Sequence, residues 1–215
     1  MIAQAGASHR IKPMRVAGSR PRHRTLGRGI VAILVLGLLL AGLAQVGDAV
    51  RIIAKAQAAQ WLISRAWDNN LAAGHPKSRP WSWADMKPVA KIGFTRQRDS
   101  AIVLDSDATR VLAFGPGLSD RSALPGRSGN VVISGHRDTH FSLLQDIRLH
   151  DPITLQTIEG CVLHYRVSAS FVVDEHDTWV AADHGLDELT LITCWPFDTL
   201  APGGPLRLVV TAERI

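Results

Sequence analysis

A run of 19 uncharged residues, Gly29 to Gly47, sets the tightest limit on how this 215-residue chain can fold. It reads Gly-Ile-Val-Ala-Ile-Leu-Val-Leu-Gly-Leu-Leu-Leu-Ala-Gly-Leu-Ala-Gln-Val-Gly, with Gln45 as its only strongly polar side chain. At about 1.5 Å of rise per residue, such a helix reaches the ~30 Å hydrocarbon thickness of a bilayer. Residues 1–28 carry Arg10, Lys12, Arg15, Arg20, Arg22, Arg24 and Arg28 and no Asp or Glu. A basic flank stays on the cytoplasmic side, so the tail is expected inside and everything after Gly47 outside the cytoplasmic membrane. A cleaved signal peptide is the competing reading, because Gly42-Leu43-Ala44 is a passable small-x-small site. The apolar run exceeds the usual ~7–15 residues of a signal core, which favours an uncleaved single-pass anchor. Both readings export the rest of the chain.

The formal net charge of +5 belongs to the tail. Removing the seven cations of residues 1–28 leaves −2 for the remainder, which offers no basic face for nucleic acid. The hydrophobic fraction of 46% suits a packed core and argues against disorder. Cys161 and Cys194 could form one disulfide in an exported protein, and the sequence leaves their redox state open.

Residues Asp48 to Asp68 read as a stalk helix, with Ala49, Ile52, Ile53, Ala56, Ala59, Ile63 and Trp67 recurring at steps of three and four. Trp61, Trp67, Trp81 and Trp83 fit stalk packing or a membrane interface. The breaker-rich Gly74-His-Pro-Lys-Ser-Arg-Pro80 closes a stalk-and-linker segment, 48–82, ahead of a domain spanning 83–215. There the pattern changes to short β-type runs: Val89–Phe94, Ala101–Leu104, Val111–Phe114, Val131–Ser134, Ile153–Thr157, Val162–Val173, Thr190–Thr193 and Leu206–Thr211. Turn residues punctuate them, and Phe141–Arg148 suits a short helical turn. The fold class is mainly β, a sandwich or closed barrel.

Cys194 ends the run Leu189-Thr-Leu-Ile-Thr-Cys, where a rigid strand can hold a thiol at a cleft. A nucleophilic thiol needs a base nearby. His136, after the strand Val131-Val-Ile-Ser and a glycine that permits a sharp turn, could supply one. Arg207 opens the strand Leu206-Arg-Leu-Val-Val after the turn Ala201-Pro-Gly-Gly-Pro205. If that strand pairs back on Thr190–Thr193, the guanidinium could donate hydrogen bonds to an oxyanion beside Cys194. The competing readings are an Arg207 that faces solvent on a two-sided strand, a buried or bridged Cys194, and a His136 on the surface.

The ordered set Gly115-Pro-Gly117, Leu124-Pro-Gly126, Gly129-Asn-Val-Val-Ile-Ser-Gly-His-Arg-Asp-Thr-His-Phe141, Leu189-Thr-Leu-Ile-Thr-Cys194 and Leu206-Arg-Leu-Val-Val210 resembles a sortase. With the basic and apolar N-terminus it is most similar to the proteobacterial class GN branch. The resemblance implies an eight-stranded β-barrel and a Cys194–His136–Arg207 site. It also implies cleavage at a C-terminal sorting signal, Leu-Pro-x-Thr-Gly-like, of an exported protein. Cys194 would attack the scissile carbonyl, Arg207 would steady the oxyanion, and His136 would protonate the leaving amine and later deprotonate an incoming one. A peptidase that resolves the thioester with water, and a tethered binding module without catalysis, are the alternatives.

Around this set, Asp138 can orient His136 or cap a turn, with the turn favoured. Thr193 and Trp195 flank the cysteine, and Trp195 can shape the groove or fill the core. His140 and Phe141 are expected to pack beside the cleft. His136 and His140 stand four apart but lack the glutamate of the zinc-peptidase signature, so neither metal nor cofactor is expected. Asp105-Ser-Asp107 reads as a strand connection and Cys161 as a small core residue.

Overall fold

The structure is a computed structural model that describes residues 23–199 and 203–215, with side chains from Gly29 onward. The tail through Arg22 and Ala201-Pro202 of the predicted turn lie outside these residues. Helix α1 runs from His23 to Ala73, and the contacts divide the chain within it, between Arg51 and Ile52.

The N-terminal unit is a helix whose apolar side chains face outward all round, Leu38 at 74% and Ile33 at 72% exposed. Its most apolar stretch has a mean hydropathy of 2.5 with nothing buried. A helix apolar on every side needs an apolar surrounding, and this one is a candidate membrane span.

In the second unit the last turns of α1 bury Ile63, Ala66, Trp67 and Asn70. Of the residues recurring at steps of three and four, Ile52 and Ile53 stay exposed, at 63% and 61%, and contacts with the domain begin near Gln60, whose Nε2 donates to the Phe114 carbonyl at 2.7 Å. The helix also continues past Asp68, because Asn70 serves as a buried tie instead of a stop. Its Nδ2 donates to the Ser78 and Pro88 carbonyls at 3.1 and 3.3 Å, while Oδ1 accepts from the Ser78 N–H at 2.5 Å. Gly74, at φ +69, then supplies the left-handed residue that ends it.

Eight strands close a barrel: β1 Pro88–Phe94, β2 Asp99–Leu104, β3 Gly117–Leu118, β4 Asn130–Ser134, β5 Pro152–Thr157, β6 Val162–Asp174, β7 Glu188–Cys194 and β8 Leu206–Arg214. Their order around the barrel is β1-β2-β3-β4-β7-β8-β6-β5. Period-two alternation drives the pattern. Ala90, Ile92 and Phe94 of β1 point inward, as do Leu189 and Leu191 of β7 and Leu208, Val210 and Ala212 of β8. A second cluster, Ile63, Ala84, Met86, Leu104 and Val111, packs the end of α1 against β2.

The predicted strand Val111–Phe114 is corrected to a helical turn, α2, Thr109–Leu112. Val111 and Phe114 both belong to the second cluster and are three apart, so one helical turn faces both inward where a strand would split them. The third strand is instead Gly117–Leu118, within what reads as a turn. A Cβ on Gly117 would lie 2.1 Å from the Ser106 carbonyl oxygen, so the backbones approach more closely than any side chain permits. A 3-10 turn at Ser142–Asp146 occupies the region read as helical.

Candidate active site

Cys194 is the last residue of β7, and its register partner on antiparallel β8 is Arg207. Residues directly opposed in this way set their Cβ atoms about 4.5–5.5 Å apart on one face. Because Leu189 and Leu191 fill the interior, Thr190, Ile192 and Cys194 alternate to the outer wall. β4 runs parallel to β7 with Ser134 opposite Ile192, so the chain leaving β4 delivers His136 to the same end.

Two hydrogen bonds clamp that exit. The Gly135 N–H donates to the Ile192 carbonyl at 3.0 Å, and the buried Thr193 hydroxyl donates to the Gly135 carbonyl at 2.8 Å. Thr193 thus faces inward and fastens the histidine turn to the cysteine strand. Gly135 has a steric reason to be glycine, since its Cβ would sit 2.6 Å from the ring of Phe141. Phe141 is fully buried in the barrel core, beneath the histidine turn, which corrects its expected place beside the cleft.

Cys194, His136 and Arg207 line one cleft of about 530 Å³, together with Asp107, Ser134 and Asp138. The side chains that the sequence singled out therefore share one groove on the outer wall of the barrel. Arg207 is held in place by three hydrogen bonds: Nη1 donates to the carbonyls of Gly204 and Leu206 at 2.6 and 2.9 Å, and Nη2 to Glu175 at 2.5 Å. Arg137, 4% exposed, donates from Nη1 to the Pro196 carbonyl at 2.6 Å and from Nε to Asp138 at 3.2 Å. It ties the loop after His136 to the segment after Cys194. The Asp138 carboxylate, 71% exposed, is given to Arg137, in keeping with a turn.

The flanking residues divide. Trp195 meets Phe197 edge-on at 5.7 Å and packs on the core cluster, so its ring serves the core. His140 lines a separate cavity with Gln60, Ser64 and Lys91. Burial lowers its pKa from the ordinary 6.5, the nearby His136 adds to that, and Asp99 opposes it. Both cysteines are free, and Cys161 is exposed, which corrects its reading as a core residue. It sits in the turn between β5 and β6, where its side chain escapes the barrel's alternation.

Three groups at the site escape sequence reading. Asp107 closes Asp-Ser-Asp, and its side chain accepts from the Ser134 hydroxyl at 3.2 Å in the cleft wall. Ser134 is only the polar end of a strand. Glu175 reaches Arg207 because β6 pairs with β8 at Val173 and Arg207, a register that no local pattern announces. Among the described residues, no group of three or more His, Cys, Asp or Glu side chains is placed to hold a metal ion.

Comparison with known proteins gives consistent results. A family model described as "Sortase domain" matches residues 92–215. Sortase D of Bacillus subtilis (strain 168) is 31% identical over 102 residues, covering 47% of this chain and 50% of that protein. The chain thus matches about half the length of this curated relative. Among solved structures, sortase A from Corynebacterium diphtheriae superposes with a TM-score of 0.56 at 27% identity, covering 73% of this chain and 84% of that one. A Clostridium perfringens Sortase D5 transpeptidase superposes with a TM-score of 0.53 at 25% identity, covering 60% of this chain and 79% of that one.

Proposed function

The chain belongs to the sortase family, and from that premise we propose that it is a membrane-anchored cysteine transpeptidase acting on an exported protein substrate. The observation that carries the reading is the cleft itself, where a thiol, an imidazole and a guanidinium from β7, the β4 exit and β8 share one wall. The Cys194 sulfur attacks the scissile carbonyl of a C-terminal sorting signal, Leu-Pro-x-Thr-Gly-like by family resemblance. Arg207 donates to the developing oxyanion, a contribution worth about 10²–10³ in rate for comparable donors. His136 protonates the departing amine, leaving a thioester on Cys194, and then deprotonates the incoming amine that resolves it.

Gly29–Gly47 anchors the enzyme, with residues 1–28 cytoplasmic and the barrel outside the inner membrane, in line with the positive flank. The basic tail and apolar run support the class GN branch. The proposed division of the exported part is a stalk and linker over 48–82 and a catalytic barrel over 83–215.

The test is product analysis with the full chain in detergent, a signal-peptide library and an added amine. An amide between peptide and amine supports transfer, and free acid alone would assign the chain to hydrolysis. Unchanged turnover by Cys194→Ala would remove the thiol from the mechanism.

A further inference from the structure

Arg207 lies between two cavities. One is the cleft it shares with Cys194, and the other, of about 250 Å³, is lined by Ser119, Arg121, Asp174, Glu175, Asp177 and Ile192 among others. Three of its five N–H donors are committed: two to the carbonyls of Gly204 and Leu206, one to Glu175. Glu175 is itself fixed, because its backbone N–H donates to the Pro205 carbonyl at 2.6 Å. The turn that carries it is tied at Asp174, which accepts from the backbone N–H and the imidazole of His176 at 3.0 and 2.6 Å. A carboxylate on a braced turn thus meets a guanidinium on a braced strand end, with Arg207 24% and Glu175 41% exposed.

We infer that Glu175 is a positioning residue of the active site: it fixes the Arg207 guanidinium and offsets its charge, and so sets the electrostatic field at Cys194. The inference rests on the proposed roles of Cys194 and Arg207. A planar guanidinium held at both Nη1 and Nη2 keeps a fixed direction for its remaining donors, whereas one held at Nη1 alone, without Glu175, can pivot about that nitrogen. The carboxylate also makes the pair nearly neutral as seen from the cleft. The other charged or titratable groups lining that cleft are His136, Arg137, Asp107 and Asp138.

The test compares two alkylating agents of similar size at Cys194, neutral iodoacetamide and anionic iodoacetate, with adducts at each cysteine separated by peptide mapping. The ratio of the two rates cancels thiol ionisation and access and reports local charge. Exposed Cys161 is the internal control. With Glu175→Gln the iodoacetate-to-iodoacetamide ratio at Cys194 should rise about threefold or more at low salt, as removal of one nearby charge implies. Glu175→Asp keeps the charge and should stay near the native ratio. On an Arg207→Gln background, Glu175→Gln should give less than half of that rise, since a carboxylate no longer held by the guanidinium turns into solvent, where water and salt screen it. An unchanged ratio in Glu175→Gln, or an equal rise with and without Arg207, overturns the inference while leaving Cys194 catalysis intact. A Cys194 no more reactive than Cys161 overturns the catalytic reading beneath it.

Discussion

At Cys194 the strand places the sulfur and its neighbours decide what the sulfur can do. Its cross-strand partner is a cation, and a histidine turn is clamped beside it by the Thr193 and Gly135 hydrogen bonds. Replacing Arg207 with Gln keeps a donor but removes the charge and the fork geometry. It should slow acyl transfer about 10²–10³-fold while the protein stays folded, seen as a fall in kcat with unchanged far-UV circular dichroism. Thr193→Val deletes a buried donor and leaves the Gly135 carbonyl without that partner. Chemical denaturation should show a loss of about 1–3 kcal/mol.

His140 makes a pH-dependent prediction. Burial lowers its pKa in the folded state below the ordinary 6.5, so the unfolded chain takes up the proton first on acidification. The contribution is intact above 6.5 and is lost as pH falls through 6.5 toward the folded value. A His140→Gln variant should therefore lose stability less steeply than the native protein below pH 6.5, measured by denaturant midpoints across pH. Parallel curves would show that His140 is not a source of acid sensitivity.

At the scale of elements, the turn after β4 is where packing and chemistry meet. Gly135→Ala would drive a methyl group into the buried Phe141 ring, at a cost of about 1–3 kcal/mol, and shift His136 with it. The melting temperature and the transfer rate should fall together; a lower melting temperature with native activity would uncouple the turn from the chemistry. Elements of this kind were legible wherever side chains alternated strictly. β1, β4, β5, β7 and β8 announce themselves by apolar residues at every second position or by short apolar runs, and the residues of the shared cleft stand at their ends. Val111–Phe114 was not legible, because four consecutive apolar residues carry no period until a neighbouring cluster selects one. β3 hid at the end of Gly-Pro-Gly, where glycine marks a close backbone approach as readily as a turn. Glu175 stayed invisible since its meaning depends on which strand lies beside β6.

For the whole molecule, the central division is between an outward-apolar helix and a domain with its own core. The candidate span exposes its apolar side chains, whereas among the described residues the barrel buries a cluster of 19 of its own. A chain beginning at Ile52 should be recovered in the soluble fraction with the native melting transition. The full chain should sediment with membranes and resist alkaline carbonate, and its release by carbonate would show that the helix does not span. Intact-protein mass spectrometry during incubation with a sorting-signal peptide, without added amine, tests the account most directly. The predicted result is a peptide-acyl mass on Cys194, absent in Cys194→Ala and discharged by hydroxylamine or an added amine; an acyl mass on Cys161, or peptide cleavage that survives loss of Cys194, would contradict it.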